Sequence, residues 1–248
     1  MRIDPEKCTG CGECRFFCSM RGSVMSLHRD PVSAARVYMV IDEDECVECN
    51  LCQRSGACRS NALYQPELGW PRAVRKNFSD PLKVHPETRI PGRGTEEMKT
   101  NEVTGRFRRG VFGIALELGR PGVGARFHDV DRAARAMASV GAQFEPNNPV
   151  TKLMADQSTG RIRPDILDEK VLSAIVEFSI PAHLLETVLG QMRRVAQEID
   201  TVFSADIIAR LEPDGRIPSV LALERLRVPF YINGKSNIGL GRPRAPEV

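Results

Sequence analysis

Cys8-Thr9-Gly10-Cys11-Gly12-Glu13-Cys14-Arg15-Phe16-Phe17-Cys18 spaces its cysteines as C-x2-C-x2-C-x3-C. A second run, Cys46, Cys49, Cys52 and Cys58, reads C-x2-C-x2-C-x5-C. Ile3-Asp4 introduces the first run and Ile41-Asp42 the second. The copies are offset by 38 residues at the first three cysteines and by 40 at the last. A near-constant offset of this kind is an internal repeat. All eight cysteines of the 248-residue chain lie between Cys8 and Cys58. Such crowding marks a local site, not a chain-wide disulfide framework.

The spacing has a chemical reason. Three thiolates at i, i+3 and i+6 on a tight loop can wrap three corners of a [4Fe–4S] cube. The fourth must come from elsewhere, and in two-cluster proteins the last cysteine of each run serves the other cluster. Applied here, Cys8, Cys11, Cys14 and Cys58 hold one cluster, and Cys46, Cys49, Cys52 and Cys18 hold the other. Gly10 and Gly12 suit the first loop, because backbone without Cβ can approach sulfur and adopt positive φ. Zinc favours paired C-x2-C knuckles, which three successive three-residue steps fit poorly. Disulfides need an oxidising compartment, to which nothing in the sequence routes the chain.

On these motifs, residues 1–65 resemble a bacterial two-cluster ferredoxin of the 2[4Fe–4S] type. The stretch Cys58-Arg59-Ser60-Asn61-Ala62-Leu63 is similar to that family's C-P-x-x-A-[IL] exit. Three features depart from the pattern. Ser19 and Arg59 stand where proline follows the fourth cysteine, two extra residues precede Cys58, and the stretch from Cys18 to Cys46 is long.

Composition narrows the class further. Hydrophobic residues make up 42% and charged residues 27%, which is ordinary for a globular chain. No apolar run approaches the length of a transmembrane helix, so no membrane insertion is expected. A first cysteine at position 8 leaves no room for a signal peptide, and the expected location is cytoplasmic. A net charge of +3 and 6% aromatic residues argue against nucleic acid as a partner.

Residues 66–108 read as an extended, proline-rich and basic linker, with Trp70 as an anchor on a neighbouring surface. Ten Lys or Arg face six Asp or Glu between 61 and 110. Arg72, Arg75, Lys76 and Arg93 are therefore expected to steer a partner. Residues 109–228 read as an α+β unit. Strands are expected at 111–118, 142–145, 172–180 and 202–211, and helices at 129–140 and 182–199. The order β-α-β-β-α-β is that of the split βαβ, or ferredoxin-like, sandwich. A short helix near 219–226 and a C-terminal tail over 229–248 complete the chain.

The glycine-rich loop Gly119–Arg126 offers an anion site at Gly122, Gly124 and Arg126, with a plain turn as the alternative. Gly234-Lys235-Ser236 lacks the upstream glycine of a phosphate loop. The four histidines show no metal-ligand spacing, and no acid–base pair converges in the sequence. These features point to an electron-transfer subunit that feeds a catalytic reductase partner in a hetero-oligomer. Alternatives are an oxidoreductase whose own second domain holds substrate or flavin, and a ligand-sensing or assembly protein. The stretch from Gly92 to Arg106 after the cysteine region is similar to the front of the 6-hydroxynicotinate reductase iron–sulfur flavoproteins. That resemblance implies a flavin on the partner.

Overall fold

The computed structural model describes residues 1–20, 23–33, 35–91, 105–120 and 122–231. In the cysteine-bearing part, β1 (Arg2–Ile3) pairs antiparallel with β4 (Leu63–Tyr64), joining the two ends of the unit. The first run enters a 3-10 turn over Glu13–Phe17, and the second enters α1 (Leu51–Arg54). The extra length between the runs forms a hairpin, in which β2 (Met25–Arg29) pairs with β3 (Val37–Ile41). This hairpin shields the first cysteine loop, because Val37 closes over Gly10 and the Met39 N–H reaches the Cys8 sulfur.

The segment expected to be wholly extended contains a seven-residue helix, α2 (Ala73–Ser79). Proline density limits its length but does not prevent it, because Pro71 and Pro81 lie outside it. Trp70 donates from Nε1 to Asp165 Oδ2 at 2.6 Å, under the Arg163 guanidinium at 4.6 Å from its ring centre. The stretch thus rests on the second unit, as its role as an anchor requires. Residues 92–101, with Arg93, and the Gly234-Lys235-Ser236 triplet lie outside the described residues.

In the second unit, β5 (Val111–Leu118) lies at the centre, and alternate residues face a common core. Phe112, Ile114, Leu116 and Leu118 pair with Ile180, Phe178, Val176 and Ala174 of β11 (Ala174–Pro181). On the other side, Phe203, Ala205 and Ile207 of β12 (Phe203–Ile208) pair with Leu118, Leu116 and Ile114. The edge strand β7 (Gln143–Phe144) pairs with β11, so the antiparallel order is β12-β5-β11-β7. The two long helices are α3 (Phe127–Ala138) and α5 (Leu185–Glu198), with α4 (Pro149–Lys152) a single turn between them. Val130, Ala133, Ala134 and Met137 of α3 share one apolar cluster with Leu185, Val188, Met192 and Val195 of α5 and the even-numbered residues of β5. Burying these side chains stabilises the unit by about 1.5–3 kcal/mol for each large one. Leu223 of α6 (Pro218–Arg225) joins the same cluster.

Several expected boundaries shift for local reasons. The strand expected from 172 begins at Ala174, because Lys170–Val171 (β10) pairs instead with Ala125–Arg126 (β6). Leu172 then donates its N–H to Ser79 Oγ of α2 at 2.8 Å. The helix expected from Ala182 starts with a 3-10 turn over Ala182–Leu184. A small hairpin, β8 (Met154–Asp156) with β9 (Arg161–Ile162), carries no counterpart in the sequence reading.

Candidate metal centre

The two cysteine loops have matching backbones. Cys8 N–H donates to Asp4 O at 3.0 Å, and Cys46 N–H donates to Asp42 O at 3.0 Å. Each aspartate also turns its Oδ1 onto the N–H two residues on, at 2.9 Å in both copies. Gly12 and Asn50 both stand in the left-handed region before their helical turns, at φ 78° and 63°.

The thiols group across the repeat. Cys8, Cys11 and Cys14 line one cavity with Cys58, the last cysteine of the second run. Burial, followed by the charges of Cys8, Cys11 and Cys58, pushes the Cys14 thiol up to about 11. Burial, followed by the charges of Cys49, Cys46, Cys18 and Cys14, pushes the Cys52 thiol up to about 12. The last cysteine of the second run therefore lines the cavity of the first three cysteines of the other. Thiolates held this close in buried sites repel one another, and strongly bound cations offset that repulsion.

The donor set fits an iron–sulfur cube. Among the described residues no three His, Cys, Asp or Glu converge for a single metal ion. Four thiols around a common cavity suit a cube, whose ligands bind separate irons. No cysteine is joined in a disulfide. Hydrogen bonds reach the sulfurs directly: Met39 N–H to Cys8 at 3.3 Å, Ala62 N–H to Cys58 at 3.2 Å, and the Ser19 hydroxyl with Cys49 at 3.1 Å. Burial pushes the Cys58 thiol up, but donors from Ser60, Ala62 and Leu63 outweigh it and hold the thiol below its ordinary value. The exit stretch after Cys58 thus places its N–H groups on that sulfur.

The loops differ in exposure. Cys11 is exposed, whereas Cys46, Cys49 and Cys52 are all buried. Glu48, between Cys46 and Cys49, is fully buried. Burial pushes its carboxyl up, but the amino terminus, Gln65 and Arg72 together hold it below the ordinary value. Arg72 donates to Glu48 Oε1 at 2.6 and 2.9 Å and to the Glu43 carbonyl at 2.7 Å.

The glycine-rich loop is directed toward this same region. Arg126 donates to Glu45 Oε1 at 2.5 Å, Asp44 Oδ2 at 2.9 Å and the Asp168 carbonyl at 2.8 Å. An anion at Arg126 would therefore meet two carboxylates. A Cβ on Gly124 would stand 3.0 Å from Val171 O and Lys170 Cε and 3.1 Å from Met20 Cε. Gly122 has φ 70°, so the loop behaves as a tight turn sealing a seam. Arg72 and Arg75, expected to face a partner, are likewise engaged within the chain.

One polar network escapes the sequence reading. Beside β11, Asn148 Nδ2 donates to Glu177 Oε2 at 2.9 Å, and Glu145 pairs with Arg106. Asn148 Oδ1 also caps α4 by accepting the Val150 N–H at 2.8 Å. The signal in the sequence was Glu177, set among apolar residues of an alternating strand.

Residues 1–19 match the family described as a 4Fe-4S binding domain. Compared with curated proteins and with solved structures, the chain shows no significant match in either. The N-terminal segment is thus of the iron–sulfur ferredoxin type, with an electron-transfer role. Among the described residues no helix is long and apolar enough to cross a membrane.

Proposed function

We propose that the chain carries two [4Fe–4S] clusters, the first on Cys8, Cys11, Cys14 and Cys58 and the second on Cys46, Cys49, Cys52 and Cys18. It serves as the cytoplasmic electron-transfer subunit of a hetero-oligomeric reductase. The observation that carries this reading is Cys58 standing in one cavity with the three cysteines of the other run. When bound, such clusters supply one-electron transfer. The chain's own residues orient the thiols, donate N–H groups to sulfur and bury the second site. Residues 109–228 are read as a βαββαβ ferredoxin-like sandwich that backs the cluster unit, with residues 66–108 linking the two. A donor protein reduces the chain, and a catalytic partner, flavin-bearing in this reading, brings the substrate site.

Iron and acid-labile sulfide analysis of the anaerobically reconstituted chain tests the cluster count. The expected content is about eight of each per chain, two cubes of four. Saturation at about four of each would reject the second cluster.

A further inference from the structure

Arg75 belongs to α2, outside both cysteine runs, and only 3% of it is exposed. Its Nη1 donates to the carbonyls of Asp44, Cys46 and Glu43 at 2.5, 3.0 and 3.2 Å. Its Nε donates to Glu169, which lies just before β10 in the second unit. The Asp44 carboxylate stands 3.6 Å from Nη2. One buried guanidinium therefore ties the turn leading into Cys46 to the α+β unit. Lys170 and Arg126 also reach Glu45, and Leu172 packs on the apolar cluster that contains Cys14, Cys46, Cys49 and Cys52. Around the first loop, Val37 of the hairpin closes over Gly10 and the Met39 N–H reaches Cys8, and no basic side chain from the second unit is seen on the turn before Cys8 among the described residues.

We propose that Arg75 is a positioning residue for the second cluster, fixing the Glu43–Cys46 turn and setting a buried cation beside the site. The proposal rests on the two-cluster reading above. A cluster gains negative charge on reduction, and a nearby cation in a low-dielectric surround favours the reduced form. The ion pair with Glu169 makes the α+β unit a part of that electrostatic environment. The second domain then acts on the potential of one cluster and not the other.

The test is a potentiometric titration, followed by electron paramagnetic resonance, of the full chain reconstituted anaerobically. Cys49→Ser identifies the signal of the second loop. Arg75→Gln is expected to make that cluster about tenfold harder to reduce, about 59 mV for a one-electron couple. The first couple stays in place. Arg75→Lys, which keeps the charge but not the fork, is expected to recover more than half of the shift. Glu169→Gln retains the arginine and removes its counter-charge, so it shifts the second couple the opposite way. It also carries the test if Arg75→Gln does not fold by circular dichroism. Movement of both couples together, or of neither, in the folded variants overturns the proposal. A wild-type chain with a single cluster overturns the two-cluster reading instead.

Discussion

In the first cysteine loop Gly10 and Gly12 take φ of 70° and 78°, and in the second Glu48 and Asn50 take 58° and 63° at the corresponding places. Flanking hydrogen bonds are the same in both, down to the aspartate that starts each turn. The first loop reaches this backbone with residues that adopt positive φ without strain. The second uses L-residues there and compensates through contacts. Glu48 is fixed by Arg72 and Gln65, and the turn before it by Arg75. Positive φ in a non-glycine residue persists where the surroundings over-determine it. One loop is thus autonomous in its backbone, and the other depends on residues far along the chain.

The largest effect expected concerns which loop loses its cluster. Cys18→Ala should deplete the cluster on Cys46, Cys49 and Cys52, and Cys58→Ala the one on Cys8, Cys11 and Cys14. Iron content with paramagnetic spectra of each variant reads this out. Selective loss of the first-loop cluster in Cys18→Ala would reverse the crossing and pair each run with its own last cysteine.

A pH effect should sharpen the contrast, because helix α2, which holds the second loop, packs on a buried histidine. His85 is 2% exposed and meets Phe78 of α2 edge-on, with ring centres 5.0 Å apart. Burial pushes its imidazole down to about 4. The unfolded chain therefore binds this proton at higher pH than the folded one. The stability from neutral burial is complete above the ordinary value of 6.5 and is lost as pH falls toward 4. The full span is about 3 kcal/mol, at 1.36 kcal/mol per pKa unit. Hydrogen exchange in α2, corrected for its intrinsic pH dependence, should rise between pH 7 and 5. His85→Phe should flatten that rise, and an unchanged slope in the variant would assign the effect to other groups.

The difference between the loops also explains how much was legible in the sequence. The cysteine spacing repeats on a near-constant offset, so both loops could be located and the crossing expected. The central strands could be read because Phe112, Ile114, Leu116 and Leu118 alternate, and so do Ala174, Val176, Phe178 and Ile180. Their cross-strand pairing follows from the same apolar face. What could not be read depends on distant partners. In sequence Arg75 reads as a cation that steers a partner and Arg126 as part of an anion site, and only the fold brings them to the turn before Cys46. The hairpin of β2 and β3 was hidden because β2 is mostly exposed, with one buried residue, Met25. His85 looks like any loop histidine until Phe78 covers it.

The smallest effects come from exchanging the solutions of the two loops. Gly12→Ala meets no neighbour within 4 Å, so its cost is the left-handed backbone alone, about 1–2 kcal/mol. Gly12→Asn copies the second loop, and it should cost several tenths of a kcal/mol less, because asparagine tolerates this region. Asn50→Gly makes the reverse exchange. Relief of backbone strain and the greater freedom of the unfolded chain nearly cancel there, within about 1 kcal/mol. Gly10 behaves differently, because an added Cβ would stand 2.7 Å from Val37 Cγ2 and 3.0 Å from the Val37 carbonyl oxygen. Gly10→Glu therefore adds a clash with strand β3 to the backbone cost, and it lacks the basic residues that hold Glu48. Anaerobic thermal melts of the four variants should rank Gly10→Glu as the least stable and Asn50→Gly as nearest the parent. A Gly10→Glu chain as stable as Gly12→Asn would mean that the first loop can shift away from the hairpin. Its apparent autonomy would then owe less to glycine than the φ values imply.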